Sequence, residues 1–173
     1  LILTSGPTGS GKTTLMYELA RKISSDRIVM CLEDPVEINE PDFLQTQVNL
    51  AAGIDYPALL KAALRHRPDV LIVGEIRDAT TAKLAVQASL SGHLVIATVH
   101  AKSSKGTIMR LLQLGLSVND LENSLTAITY QRLMPDNFFD DTCLFDIGSG
   151  HELMQAISQP TQGFFSWREK LAD

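Results

Sequence analysis

Cysteine is close to absent from this sequence, and its placement excludes a zinc scaffold. Cys31 and Cys143 are the two cysteines in 173 residues, and neither belongs to a CxxC pair, so a structural zinc site of the paired type has no ligands. Two ordinary reduced thiols are the reading that remains. Long apolar runs are missing as well. No stretch approaches the ~18–20 residues of a membrane-crossing helix, and no basic-then-apolar leader opens the chain. Positive charge is also short, with 15 Lys and Arg against 20 Asp and Glu for a net charge of −5. That balance argues against a domain that grips a phosphate backbone by itself, so direct nucleic-acid binding is not expected.

What is present is the composition of an ordinary globular protein, 45% hydrophobic and 20% charged, with the length of one α/β domain. Leu1 to Ser5 read as a strand, followed by a glycine loop and a helix over 12–23. "RIVMCL" (27–32) is a second strand and "EDPVEINEP" an acidic, proline-punctuated loop. "FLQTQVNL" (43–50) alternates as an edge strand or a hairpin arm does. A helix over 56–66 precedes "DVLIVGE" (69–75), a continuous apolar strand of the fully buried kind. Asp78 is placed to cap the alanine-rich helix after it, and "HLVIATVH" is another buried strand. Ser103 or Ser104 opens a helix that Gly115 ends. Ser117 with Asp120 makes a capping box for a helix read through "DLENSLTAITYQRL". Beyond Pro135 the pattern suggests a strand and a short helix, and "FSWREKLAD" (165–173) reads as helical. No internal repeat or low-complexity segment is found.

Strands and helices that alternate in this way give a doubly wound, mostly parallel α/β sheet with helices on both faces. The expected division is a core over 1–135 and a short, mainly helical C-terminal extension of the same domain over 136–173. Because the first residue already lies in a strand, a region upstream of it is expected.

"GPTGSGKT" matches G-x-x-x-x-G-K-[ST] at Gly6, Gly11, Lys12 and Thr13. Glycines let successive backbone N–H groups converge on phosphate oxygens, and the following helix turns its positive end to the same place. The stretch Gly6, Pro7, Thr8, Gly9, Ser10, Gly11, Lys12, Thr13 and Thr14 is thus the candidate for holding ATP. Lys12 would neutralise the β and γ phosphates, and Thr13 would ligate Mg²⁺. A chance glycine turn is the plain alternative, but the position between strand and helix favours the phosphate loop. Small kinases carry the same loop, so it names no reaction.

Ligands of such sheets lie beyond the carboxyl ends of the strands. Two acidic groups fall there: Glu33 with Asp34 and Glu37 after the second strand, and Glu75 after "DVLIV". Hydrolysis needs one carboxylate to orient water and another to hold the metal's water shell; Glu33 suits the first role and Glu75 the second. A solvated acidic turn is the competing account of "EDPVE". His93 and His100 bracket one strand, and seven residues of strand span roughly 23 Å, so the two cannot share a metal. Only His100 falls at the carboxyl edge, where it would read or polarise the γ-phosphate. His93, at the far end, suits a structural or interface part.

Together these segments resemble the secretion ATPases of type II secretion, type IV pili and competence pili. "GPTGSGKTT" is similar to their Walker A loop, "CLEDPVE" to their aspartate box, "LRHRPDVLIVGEIRD" to their Walker B and "SGHLVIATVHA" to their histidine box. "ITYQRLMP" is similar to the glutamine-arginine segment that follows. The resemblance runs in the family's order from Gly6 to Pro135. It implies a RecA-like P-loop core in a hexameric ring, with Glu33 as base, Glu75 as Walker B glutamate, and His93 and His100 as the histidine pair. It matches Arg65 and Arg77 to the arginines flanking the Walker B, so Arg77 joins the catalytic candidates. It also implies a PAS-like domain, expected upstream of Leu1, and a polytopic membrane platform protein as partner at the cytoplasmic face. The tetracysteine element of many members is missing after "QRLMP". The "LRHRPD" wording and compact tail most resemble the competence-pilus branch, and DNA uptake is the expected output. Pilus retraction or type II secretion is the near alternative, and a nucleotide-gated interaction module with incidental hydrolysis the distant one.

Overall fold

The computed structural model describes residues 1–134 and 142–158. Seven strands form one sheet in the order β3-β2-β4-β5-β1-β6-β7. They are β1 (Ile2–Ser5), β2 (Val29–Glu33), β3 (Leu44–Gln47), β4 (Val70–Val73), β5 (Leu94–Val99), β6 (Ala127–Met134) and β7 (Thr142–Ser149). Neighbours from β3 to β6 pair in parallel, and β7 alone runs antiparallel, against β6. The segment after Glu33 thus ends in a parallel edge strand rather than a hairpin arm.

The α/β fold read from the alternation of elements is the one observed, with helices on both faces. Helix α1 (Lys12–Ile23) lies on one face, where Met16, Tyr17 and Ala20 pack with Val29, Cys31, Val70, Ile72 and Ile96. The other face carries α2 (Tyr56–Arg65), α3 (Ala79–Leu90), α5 (Val118–Ser124) and α6 (Gly150–Ser158), over a core that includes Leu32, Leu71, Val73, Val95, Ala97 and Leu60. Strands β4 and β5 contribute to both clusters because their side chains alternate between faces. This two-sided burial is why they read as unbroken apolar runs. Helix α4 (Ser104–Gln113) follows β5 and packs near β6 and β7.

The caps legible in the sequence are formed. Asp78 accepts from Thr81 N at 2.9 Å, Ser103 from Gly106 N at 2.9 Å, and Ser117 with Asp120 closes a capping box. One helix is shorter than its sequence suggests. The pattern through "DLENSLTAITYQRL" predicts a single helix, but α5 stops at Ser124 and Ala127–Met134 is strand β6. Leu125 already has extended backbone, with ψ 117°. Strand β1 is paired with β5 on one side only until β6 supplies the other, from Ile2↔Ala127 to Ser5↔Tyr130. An unpaired edge in the middle of a buried sheet is costly, and Ile128, Thr129 and Tyr130 suit a strand better than a helix. Beyond Met134, β7 and α6 match the strand and short helix suggested by the sequence. The helix read over 165–173 lies outside the described residues.

Candidate nucleotide site

Because β1, β2, β4, β5 and β6 are parallel, their carboxyl ends meet at one rim of the sheet, and four of the segments that follow them line a single cavity of about 680 Å³. The first loop contributes Thr8, Gly9, Gly11, Lys12, Thr13 and Thr14. After β2 come Glu33, Asp34 and Glu37; after β4, Glu75 and Arg77; and β5 brings Thr98 and His100. The sequence-read candidates Lys12, Thr13, Glu33, Glu75, Arg77 and His100 are therefore brought together.

Gly9 and Gly11 adopt φ of +76° and +82°, the left-handed region in which glycine alone is unstrained. Lys12, at the first turn of α1, donates to its own loop through Pro7 O at 2.8 Å. Burial draws its ammonium below the ordinary lysine value, with the charges of Glu75 and Glu37 opposing that shift. Pro7 is exposed and Ser10 buried; neither lines the cavity, nor does Gly6, which packs against β6.

Glu33 is 3% exposed. Its Oε1 accepts from the Tyr17 hydroxyl at 2.6 Å and from Gln45 Nε2 at 3.2 Å. Gln45, on the edge strand, also donates to Tyr17 Oη at 2.7 Å and to Ile38 O at 2.7 Å. The loop after β2 and the Glu33 carboxylate are thus held by the same amide. Burial, then the bond to Glu33, raises the Tyr17 phenol well above its ordinary range, so it stays a donor.

Glu75 is the hub of the opposite wall. Arg77 Nε donates to its Oε2 at 2.5 Å, and His100 Nε2 stands 3.1 Å from its Oε1. Arg77 also reaches Asp34 Oδ2 at 3.4 Å, which ties this wall to the loop after β2. Pairing with Glu75 raises the Arg77 guanidinium above its ordinary value. Tyr56, at the start of α2, completes the lining, its phenol pushed up to about 12 by burial and then by the charge of Asp34.

Among the described residues no three or more His, Cys, Asp or Glu side chains converge to hold a metal ion. Magnesium on a nucleotide does not need such a cage, because it keeps most of its waters and the phosphates as ligands. Thr13 and Glu75, both on the cavity wall, suit one direct hydroxyl ligand and one water-mediated carboxylate.

Two histidine-box residues part company. His100 lies in the site, whereas His93 is at the other end of β5, its Nδ1 3.1 Å from Ala88 O at the end of α3. Arg65 is nine residues along α2 from Tyr56, ~14 Å of helix away from the rim. Three contributors escaped the sequence reading. Tyr17 and Gln45 look like one helical and one strand residue among others, and only the register of β2 with β3, which sets Cys31 beside Gln45, brings Gln45 within reach of the neighbouring Glu33. Tyr56 could have been suspected from its place just after the Asp55 cap, since a helix on the other face starts there.

A glycine loop joining the first strand to the first helix of a parallel sheet, with carboxylates at the neighbouring strand ends, defines the class as a RecA-like P-loop α/β core. The family model of type II/IV secretion system proteins matches residues 1–162, and the chain belongs to that family. It is 53% identical over 134 residues to the competence protein ComGA of Streptococcus pneumoniae, a match covering 78% of this chain and 43% of that protein. It is 47% identical over 135 residues to type II secretion system protein E of Klebsiella pneumoniae, covering 78% of this chain and 27% of that protein. The chain thus spans less than half the length of these curated relatives. Among solved structures, the pilus retraction motor PilT with bound ADP superposes with a TM-score of 0.77 at 30% identity, over 90% of this chain and 49% of that one. The ATPase DotB of Legionella pneumophila gives a TM-score of 0.78 at 25% identity, over 92% of this chain and 50% of that one. No helix among the described residues is long and apolar enough to cross a membrane.

Proposed function

We propose that the chain is the catalytic core of an ATP-hydrolysing motor subunit, and that the motor drives assembly of a competence pseudopilus for DNA uptake. The observation that carries the proposal is the convergence of the glycine loop, Lys12, Glu33, Glu75 and His100 on one cavity. In this reading the loop amides and Lys12 hold the phosphates, and Glu33, fixed by Tyr17 and Gln45, orients the attacking water. Thr13, and Glu75 through water, would hold Mg²⁺, which when bound supplies positive charge at the phosphate oxygens. His100 and Arg77, both paired with Glu75, place donors on the side of the cleft where the terminal phosphate would lie. His93 belongs to the structure of the sheet's far end. Identity of 53% and 50% to two ComGA proteins supports the competence assignment.

The partners that follow from the family resemblance are further copies of the subunit in a ring of six and a polytopic platform protein at the cytoplasmic face of the membrane. The core is assigned to residues 1–135, and 136–173 to an extension of the same domain.

The test compares Lys12→Ala with Glu75→Ala in cells, scoring transformation by added DNA. A motor loses DNA uptake with either variant. Uptake that survives Glu75→Ala, with ATP still bound and no longer hydrolysed, would mark a nucleotide-gated switch instead.

A further inference from the structure

Gln131 belongs to the glutamine-arginine segment, in β6 just past the stretch that pairs with β1, and it is not among the residues that line the cavity. It is 2% exposed. Its Nε2 donates to the carbonyl oxygen of Ser10. Its own backbone carbonyl oxygen stands where a Cβ on Gly6 would clash with it, and its Nε2 is 3.0 Å from the corresponding point on Gly11. One residue therefore lies close against the loop at Gly6 and Gly11 and holds it by a hydrogen bond at Ser10.

The bond to Ser10 has a directional consequence. In a trans peptide the carbonyl and the next N–H point opposite ways across a plane. A Ser10 carbonyl drawn toward β6 turns the Gly11 N–H away from β6, and Gly11 lies on the cavity wall. Gln131 Oε1 and Ser10 Oγ are both buried with no hydrogen-bond partner among the described residues. A buried amide left half-satisfied is unfavourable relative to an apolar side chain of its size, so packing alone does not account for a glutamine here; the bond to Ser10 does.

We propose that Gln131 is the positioning residue of the phosphate loop, fixing the Ser10–Gly11 peptide so that the Gly11 N–H faces the phosphates of the bound nucleotide. The inference rests on the reading of this loop as a nucleotide holder. It acts through the backbone, so it predicts an effect on binding more than on the chemical step.

Gln131→Met keeps the volume and removes the donor; Gln131→Glu keeps the shape and puts a carboxylate against the Ser10 carbonyl. Titration calorimetry with Mg-ADP is expected to give a Kd raised ~10-fold for the methionine variant and more for the glutamate variant. KM for ATP rises in parallel while kcat at saturation stays within about twofold of wild type. For Gln131→Met the melting temperature without nucleotide moves little, while its increment on adding Mg-ADP shrinks. Wild-type affinity in both variants overturns the proposal. So does a drop in the nucleotide-free melting temperature with the Mg-ADP increment intact, which would make Gln131 a packing residue. Lys12→Ala separates the two levels: if it leaves Mg-ADP binding unchanged, the reading of the loop itself falls. If it abolishes binding while the Gln131 variants bind normally, only the inference about Gln131 falls.

Discussion

Glu33 stands on the cavity wall while almost wholly buried, with one oxygen committed to Tyr17 and Gln45. A carboxylate held in this way keeps one orientation, which is what a water-orienting base requires. Glu33→Gln is expected to leave Mg-ATP affinity nearly unchanged and to lower hydrolysis ~10²-fold or more. Tyr17→Phe, which removes the stronger of the two anchoring bonds, is expected to lower kcat ~10-fold with KM unaltered. Steady-state kinetics of both variants check this, and unchanged turnover in Glu33→Gln removes that residue from the role of base. The nearby Cys31 takes no part; burial and then the charge of Glu33 push its thiol up to about 12, which makes it a poor nucleophile. At this scale the sequence is legible where chemistry has a spacing, as in the Gly6-to-Thr13 motif, or a strand end, as at Glu33 and Glu75. It is silent on Tyr17 and Gln45, and marks Gln131 only as part of a segment resembling the family's, because their roles come from register and packing between segments far apart in the chain.

Among the elements, α3 follows the segment that bears Glu75 and Arg77, and its start is fixed by Asp78. That carboxylate accepts from the Thr81 backbone at 2.9 Å and from its hydroxyl at 2.7 Å. Burial pushes the Asp78 carboxyl up, but the bonds to Thr81 and Thr80 outweigh it and leave the value below the ordinary 3.8. A carboxylate whose folded value is depressed contributes stability above its unfolded value and loses it as pH falls through the folded one. Asp78→Ala is therefore expected to cost about 1 kcal/mol at neutral pH, and the gap to wild type should close as pH drops below about 4. Urea unfolding at a series of pH values measures it; a gap that persists at low pH contradicts the capping account. Caps such as this one are legible because they are local. Strand β6 is not, because a capping box and an apolar run that continue a helix on paper are overruled by the open edge of β1. Tertiary pairing decided that element, and no window of sequence contains β1 and β6 together.

For the molecule as a whole, parallel pairing is what makes a site from separate segments. Strands β1, β2, β4 and β5 each deliver the segment that follows them to the same rim, so the glycine loop, two acidic walls and His100 meet without any of them being adjacent in sequence. The same geometry separates His93 from His100 and removes Arg65 from the rim. Alternation of buried strands and helices made this arrangement readable in outline. The network of Tyr17, Gln45 and Glu33 was not, because it depends on which strand lies at the edge.

Lys12, Glu33, Glu75 and His100 are proposed to surround one terminal phosphate, and a crystal structure of the protein with Mg²⁺ and a non-hydrolysable ATP analogue is the decisive experiment. The account predicts the γ-phosphate against Lys12 and Thr13, a water between it and Glu33, and Glu75 within one water of the metal. An analogue bound elsewhere, or no water between the γ-phosphate and the Glu33 carboxylate, would contradict it.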